Sequence, residues 1–263
     1  MNEKKVVVIG GSGFLGSHLA DALTDRGYRV TIFDLQPSPW LLPEQEMIVG
    51  DILNEEDVRR ALIGADYVYH LAGIADIGRS VESPRETLEK NIIGSAIVCD
   101  ACVREKIRRL MYASTIYVYS QQGSFYRVSK QAVEYMLEVY YEQFGLSYTI
   151  LRYGSLYGPR AQEWNGLKRY VTQAVRDGVI VYPGTGDERR EYIHVKDAAK
   201  MSIDALADEF ANERLILTGT HPLSSRELLR MIQEIMNEKI RLEFKKEGRD
   251  PAHYDMTPYR FTP

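Results

Sequence analysis

The chain is poor in cysteine, with only Cys99 and Cys102 among its 263 residues. Two cysteines cannot build the multiple disulfides on which small secreted domains depend, and their scarcity fits a reducing cytoplasm. They form a Cys-x-x-Cys, but it lies inside a helical pattern over residues 94–105, not at a helix N-terminus where a redox motif gains a lowered thiol pKa. No second cysteine pair or nearby histidine completes a zinc site. We therefore predict no bound metal and two small, buried cysteine side chains.

Long apolar runs and an excess of positive charge are also absent. Even the longest apolar runs are short, such as residues 6–9, so no segment is predicted to cross a bilayer. The formal net charge is −4 and the pI is about 5.8, which gives no basic surface for nucleic acid. A predicted strand begins at residue 5, which leaves no room for a signal peptide ahead of it. We expect a cytoplasmic protein with no membrane and no nucleic acid as its partner.

Strand-like and helix-like segments alternate over the first 155 residues. A strand is predicted over residues 5–9, and its continuous apolar run at 6–9 is typical of a strand buried on both faces. The alternation indicates βαβ units, and therefore an α/β fold with a Rossmann-type, doubly wound parallel sheet. The pattern then loosens, which indicates a smaller C-terminal substrate lobe. We predict a dinucleotide-binding domain over residues 1–157, to which 188–220 return, and a lobe made of 158–187 and 221–263.

Four predicted elements surround the candidate site. We predict long helices over residues 86–105 and 126–144, the second of them ended by Gly145. Strands are predicted over residues 110–113 and 147–152.

A glycine-rich turn lies between the first predicted strand and the first helix. Gly10, Gly13 and Gly16 recur three residues apart. In this context Gly10 permits the tight turn, Gly13 lets the backbone approach a pyrophosphate at the helix N-terminus, and Gly16 allows close packing of helix on sheet. The turn predicts a dinucleotide cofactor.

Asp34 ends the second predicted strand, 18 residues after Gly16. An acidic side chain at this place hydrogen-bonds the hydroxyls of the adenosine ribose and repels a 2′-phosphate. Residues 35–38 contain no Arg or Lys that could receive that phosphate. The sequence therefore favours NAD over NADP.

Tyr126 and Lys130 form a Tyr-x-x-x-Lys, and helical spacing places both side chains on one face. A phenol with a pKa of about 10 is a poor base at neutral pH. A neighbouring ammonium and the positive nicotinamide ring of NAD+ would both favour the phenolate. Tyr126 could then exchange a proton with an alcohol while a hydride moves to or from the cofactor. Thr115 follows the predicted strand at the end where ligands bind in parallel sheets, and it can hold the substrate oxygen.

With these residues in place, the chain resembles an extended short-chain dehydrogenase/reductase of the nucleotide-sugar epimerase/dehydratase group, similar to UDP-glucose 4-epimerases. The resemblance covers nearly the whole chain and rests on a set of short motifs: Gly10-x-x-Gly13-x-x-Gly16, Asp34, Gly50-Asp51-Ile52, His70-Leu71-Ala72-Gly73, Asn91, Ser114-Thr115, Tyr126-x-x-x-Lys130, Leu151-Arg152-Tyr153, Tyr157-Gly158-Pro159 and the segment from Arg190 to Asp197.

The resemblance implies roles for particular residues. The implied cofactor contacts, beyond the glycines and Asp34, are Phe14, Leu15, Asp51, Ile52, Leu71, Ala72, Gly73, Tyr126, Lys130 and Tyr153. Lys130 would bind the nicotinamide ribose, and Thr115 would share the substrate hydroxyl with Tyr126. Arg190 would bind the diphosphate of a nucleotide sugar, since a guanidinium fork suits phosphate oxygens; the alternative is a surface ion pair. Asn165 would also hold the diphosphate, and Asn91 is expected to support the sheet.

The residues after Thr115 narrow the reaction. Related 4,6-dehydratases carry Asp and Glu there as acid and base, whereas this chain has Ile116 and Tyr117. We therefore expect a C4 epimerase that works through a transient 4-keto sugar. A nucleotide-sugar dehydrogenase or C4-ketoreductase is the alternative, and a non-catalytic NAD-sensing regulator is a third interpretation.

Two further expectations come from the resemblance. Only 11 positions separate Thr115 from Tyr126, where relatives usually carry a longer loop, so the sugar pocket is expected to be more open. The two long predicted helices resemble those that form a four-helix interface in dimers of this family. Met136, Val139 and Tyr140 could contribute to that interface, although the same helices could simply cover the sheet. We expect a homodimer.

Overall fold

The structure is a computed structural model that describes residues 4–237 and 239–245. Within them lie twelve strands and nine α-helices. The strands are β1 (Lys5–Ile9), β2 (Arg29–Asp34), β3 (Glu46–Val49), β4 (Tyr67–His70), β5 (Arg109–Thr115), β6 (Tyr148–Tyr153), β7 (Ser155–Tyr157), β8 (Val179–Tyr182), β9 (Arg189–His194), β10 (Arg214–Leu217), β11 (Pro222–Ser224) and β12 (Arg241–Phe244). The helices are α1 (Phe14–Asp25), α2 (Glu55–Leu62), α3 (Ile77–Glu82), α4 (Pro84–Leu88), α5 (Gly94–Arg104), α6 (Ser124–Phe144), α7 (Gly166–Asp177), α8 (Val195–Asp204) and α9 (Ser225–Ile235).

Seven parallel strands form the central sheet, in the order β10-β6-β5-β4-β1-β2-β3. β1 lies inside this sheet, and Val6, Val7, Val8 and Ile9 are completely buried. The chain moves outward from β1 to β3 and then returns to build the other half from β4. This reversal leaves a crevice at the carboxyl ends of β1 and β4, which is where ligands bind in such sheets. The predicted doubly wound, Rossmann-type sheet is confirmed.

Helices cover both faces of the sheet. On one face α1 packs against α8, and Leu19 and Ala198 belong to the apolar core there. On the other face α2, α5 and α6 contribute to a second core, which includes Val133 and Leu137 of α6. Complete burial of one such side chain stabilises the fold by about 1.5–3 kcal/mol, so α6 is held firmly against the sheet.

A smaller lobe is built from the later elements. α7, β8, α9 and β12 share a third apolar core, and β8 pairs with β12. β9 lies between β7 and β11 in a separate three-stranded sheet, while β10 returns to the edge of the central sheet beside β6. The boundaries between the two domains stay a prediction, and residues 246–263 of the predicted lobe lie outside the described residues.

Several predicted elements differ from the structure. The long helix predicted over residues 86–105 is present, but a π-helical turn at Glu89–Ile93, which was not predicted, divides it into α4 and α5. β5 continues to Thr115, and α6 begins at Ser124 after a left-handed Gly123. The short strands β7, β9, β10 and β11 were not predicted, because their residues lack a regular apolar alternation.

Cys99 and Cys102 lie on α5, where both are free and completely buried. Burial raises the pKa of both thiols. The prediction of two small, buried side chains is therefore confirmed. Across the described residues, no helix combines the length and the apolar character needed to span a bilayer.

Candidate active site

The turn after β1 provides a close-fitting backbone cradle. Gly10 has φ of +86°, and a Cβ on it would lie 2.6 Å from a backbone nitrogen of the loop after β4. A Cβ on Gly16 would collide with the carbonyl oxygen of Gly10. Gly13 is the N-cap residue of α1, without a side-chain cap or an acidic residue in the first turn. The side chains of Phe14 and Leu15 are buried, so their backbone N–H groups are what a pyrophosphate could meet.

Asp34 lies beside this cradle, at the end of β2. Its carboxylate accepts hydrogen bonds from the backbone N–H of Ser12 at 3.0 Å and of Gln36 at 3.3 Å. The Ser12 hydroxyl donates to the Gln36 carbonyl at 2.8 Å, which closes the loop around the carboxylate. The structure thus brings Asp34 to the glycine turn, where it could reach the adenosine ribose of NAD.

Asp51 and Ile52 follow β3 at the same edge of the sheet. Asp51 Oδ1 accepts from the backbone N–H of Leu53 at 2.9 Å, so its carboxylate stabilises its own turn. Ile52 packs on the start of α5, where a Cβ on Gly94 would come within 2.8 Å of Ile52 Cδ1. The predicted contact of both residues with adenine stays a prediction.

The loop after β4 contains Leu71, Ala72 and Gly73. Gly73 has φ of +145°, and a Cβ there would lie 2.6 Å from Asn91 Oδ1. Asn91 sits in the π-helical turn, and its side chain pairs with both backbone groups of Ile74, at 2.7 and 2.9 Å. Its amide also donates to Ser129 Oγ on α6 at 2.9 Å. Asn91 therefore supports this loop and α6, and the expectation that it supports the sheet is corrected.

Thr115, Tyr126 and Lys130 converge at the crevice. Thr115 is the last residue of β5, and its side chain lies close enough to Tyr126 on α6 to lower the pKa of that phenol. Lys130 Nζ donates to the carbonyl oxygen of Ala113 at 2.7 Å, and it lies 5.9 Å from the centre of the Tyr126 ring and 4.7 Å from that of Tyr112. The predicted pair and the predicted hydroxyl are thus within one small site.

Burial controls the protonation of this site. It raises the pKa of Tyr126 to about 12, and the hydrogen bond with Thr115 only partly opposes this. Burial also lowers the pKa of Lys130 to about 8, against the attraction of Glu134. Desolvation is the largest influence on the pKa of Tyr126, and Lys130 is not among the groups that shift it, so the expected stabilisation of the phenolate by Lys130 is not seen. The raised pKa favours the protonated phenol over the phenolate.

A buried ion pair lies behind the site, and sequence reasoning missed it. Arg152 on β6 donates to Glu134 at 3.1 and 2.5 Å, and to the Tyr119 hydroxyl at 2.6 Å. Ser114, next to Thr115, also donates to Glu134. Glu134 lies one helical turn after Lys130, so the pair ties α6 to the ends of β5 and β6. The sequence signal that could have revealed this ion pair was an arginine, Arg152, in a strand whose other residues are mostly apolar.

Arg190 lies on β9 and is half-buried. Its Nη1 donates to the Tyr117 hydroxyl at 3.3 Å. Tyr117 belongs to the short 3₁₀ turn Ile116–Tyr119 that follows Thr115, so the structure links Arg190 to the end of β5. The diphosphate contact of Arg190 stays a prediction.

Two other predicted residues already have partners within the fold. Asn165 caps α7: its Oδ1 accepts from the backbone of Lys168 at 3.2 Å, and its Nδ2 donates to the carbonyl of Leu156 at 2.9 Å. The Tyr153 hydroxyl is bonded to Ser202 Oγ at 2.6 Å in the core. The predicted contacts of Asn165 with a diphosphate and of Tyr153 with a cofactor stay predictions.

These features define a dinucleotide-dependent enzyme of the short-chain dehydrogenase/reductase class. They are the parallel doubly wound sheet, the uncapped helix behind a glycine cradle, the acidic residue at the end of β2 and the converging Thr–Tyr–Lys set. The model of the NAD dependent epimerase/dehydratase family matches residues 6–216. The chain belongs to that family, and its cofactor is NAD, as predicted. The cradle and Asp34 fit this cofactor.

Similar proteins agree with this placement. A UDP-N-acetyl-alpha-D-glucosaminuronate decarboxylase of Bacillus cytotoxicus is 30% identical over 90% of this chain and 79% of its own length. The UDP-glucose 4-epimerase of Thermotoga maritima, solved with UDP-glucose, has a TM-score of 0.87 at 26% identity and covers 94% of this chain and 87% of its own. The UDP-glucose 4-epimerase of Thermus thermophilus, solved with NAD, has a TM-score of 0.85 at 25% identity, and the match covers 97% of this chain and 91% of the Thermus chain.

Proposed function

We propose that this protein is a C4 epimerase of a nucleotide-activated sugar. The observation that carries the proposal is the pairing of Tyr126 with Thr115, beside a turn whose positions 116 and 117 hold Ile and Tyr. With NAD as the acceptor and donor of the hydride, that set would move the proton in the oxidation and re-reduction of an alcohol, whereas the turn offers no carboxylate for the elimination of water.

The chain's own residues divide the reaction between them. Thr115 and Tyr126 hold the C4 hydroxyl, and Tyr126 accepts its proton. Bound NAD supplies the acceptor and then the donor of the hydride. The 4-keto sugar rotates within the site and is reduced on its other face, and Tyr126 returns the proton. Burial raises the pKa of Tyr126 to about 12, and the positive charge that bound NAD+ would supply near Tyr126 would lower that pKa and so help Tyr126 to act as a base.

The test is a panel of UDP- and dTDP-sugars, including UDP-N-acetylglucosaminuronate, incubated with the purified protein and followed by NMR. Interconversion of two C4 epimers without net formation of NADH is expected. Stoichiometric use of added NAD(H) without epimers would instead identify a dehydrogenase or C4-ketoreductase, and release of CO2 would identify a decarboxylase like the Bacillus relative. A response to NAD without turnover, unchanged in Tyr126→Phe, would point to a regulator.

We also infer a homodimer, supported by an apolar stripe on α6. Val128, Tyr135 and Val139 are 43%, 69% and 53% exposed at helical spacing, and Ile93 is exposed nearby on the π-helical turn. Of the residues expected at an interface, Met136 and Tyr140 pack partly into the protomer's own core instead. Sedimentation of wild type and Val139→Glu tests the interface: a dimer that the charge disrupts supports it, and a monomeric wild type refutes it.

A further inference from the structure

Tyr117 joins the proposed reaction centre to Arg190. Its backbone N–H donates to Thr115 Oγ1 at 3.2 Å, so its main chain is fixed against the hydroxyl that holds the substrate oxygen. Its side chain is only 9% exposed and packs in a small apolar cluster with Tyr126. The position of the Tyr117 ring is therefore set by the same groups that would perform the proton transfer.

The short loop before α6 holds this ring in place. Gly123 has φ of +96°, and a Cβ there would lie 3.0 Å from Tyr117 Cδ1, so the loop backbone passes directly over the ring. Arg127 Nη1 donates to the carbonyl of Ser120 at 2.7 Å, and Gln131 Nε2 donates to a carbonyl of the preceding turn at 3.0 Å. Two side chains of α6 thus fasten the loop, and the ring has little room to rotate.

The Tyr117 hydroxyl then accepts a hydrogen bond from Arg190 Nη1 at 3.3 Å. Arg190 comes from β9, which lies in a different sheet from the strand that carries Thr115. A long arginine side chain has many conformations, and a bond to a fixed, buried acceptor restricts them. The phenol is a neutral acceptor, so this bond orients the guanidinium without bringing a negative charge to it.

We propose that Tyr117 is a positioning residue that orients Arg190 for the diphosphate of the substrate. The inference rests on the proposed function, in which Arg190 binds that diphosphate. It assigns to Tyr117 a part in substrate binding and none in the transfer of proton or hydride, at the position where related dehydratases carry an acid or base.

The experiment measures binding of UDP, dTDP and GDP to the NAD-loaded protein by calorimetry, and continues with the nucleotide that binds most tightly. Tyr117→Phe keeps the ring and removes the hydroxyl, so that affinity should fall by about 5- to 10-fold. KM for the nucleotide sugar should rise equally, with kcat within about 2-fold of wild type. Tyr141→Phe, which removes a hydroxyl from a half-exposed ring near the end of α6, is the matched control and should change neither.

A double-mutant cycle with Arg190→Ala shows whether Tyr117 acts through Arg190. In the Arg190→Ala background, Tyr117→Phe should have no further effect on affinity. An equal, additive loss in both backgrounds would overturn the inference, as would wild-type affinity in Tyr117→Phe or a fall in kcat without a change in KM. If wild type itself binds none of the three nucleotides, the proposed function fails and this inference fails with it. If wild type binds and Tyr117→Phe binds equally, only this inference fails.

Discussion

Removing Glu134 should destabilise the fold strongly, because it leaves Arg152 with its charge buried and unpaired. The side chains of Glu134 and Arg152 are only 7% and 13% exposed. Breaking such a pair by removing one partner costs about 3–5 kcal/mol. For a protein of this size each kcal/mol lowers Tm by about 2–4 °C, so Glu134→Leu should unfold roughly 6 to 20 °C below wild type.

The assay is thermal and urea unfolding followed by circular dichroism, with two further variants. The double variant Glu134→Leu/Arg152→Met removes both charges and should recover most of the lost stability, since apolar replacement of a buried pair is often neutral. Glu56→Gln breaks the exposed pair with Arg59 and should leave unfolding unchanged. A loss below about 1 kcal/mol in Glu134→Leu, or a double variant no more stable than the single one, would show that the pair does not carry the assigned energy.

Three other changes probe the site. Tyr126→Phe should lower kcat by about 10²- to 10⁴-fold while the purified protein retains NAD, measured by turnover and by extraction of the cofactor; normal turnover would remove Tyr126 from the mechanism. Asp34→Ala should weaken NAD binding by about 10-fold and reduce the preference for NAD over NADP, both measured by calorimetry. An unchanged preference for NAD would contradict the role given to Asp34. Because burial lowers the pKa of Lys130 from 10.5 to about 8, the folded state loses this proton first as pH rises. The free energy of unfolding of wild type should therefore rise relative to Lys130→Met by about 2 kcal/mol between pH 8 and 10, and urea titrations showing no such difference would refute the shift.

The local parts of the fold were predictable from the sequence. The apolar run of β1, the glycine turn after it and the helical spacing of Tyr126 and Lys130 each depend on neighbouring residues, so each has a signature within a few positions. The end of α6 was equally clear, because Gly145 adopts the left-handed conformation that terminates a helix.

Features that depend on distant partners were not predictable. The π-helical turn at Glu89–Ile93 contains neither glycine nor proline, and its geometry is matched to Asn91 contacts with Ile74 and Ser129. The bond between Arg190 and Tyr117 likewise joins residues 73 positions apart, on elements whose proximity only the folded chain creates. Periodicity describes which face of an element is buried, and it carries no information on which polar groups meet there.

The two thiols of α5 give this protein a built-in reporter of global unfolding. Cys99 and Cys102 are the only cysteines in the chain, and both lie on the buried face of α5, where burial raises the pKa of each thiol. A thiol reagent reacts with the thiolate, which burial suppresses in the folded protein, and it can reach either sulfur only when α5 leaves the sheet. The rate of labelling in native buffer should therefore follow the opening of the whole α5 face, so that ligand-induced stabilisation can be read as slower labelling without any engineered probe.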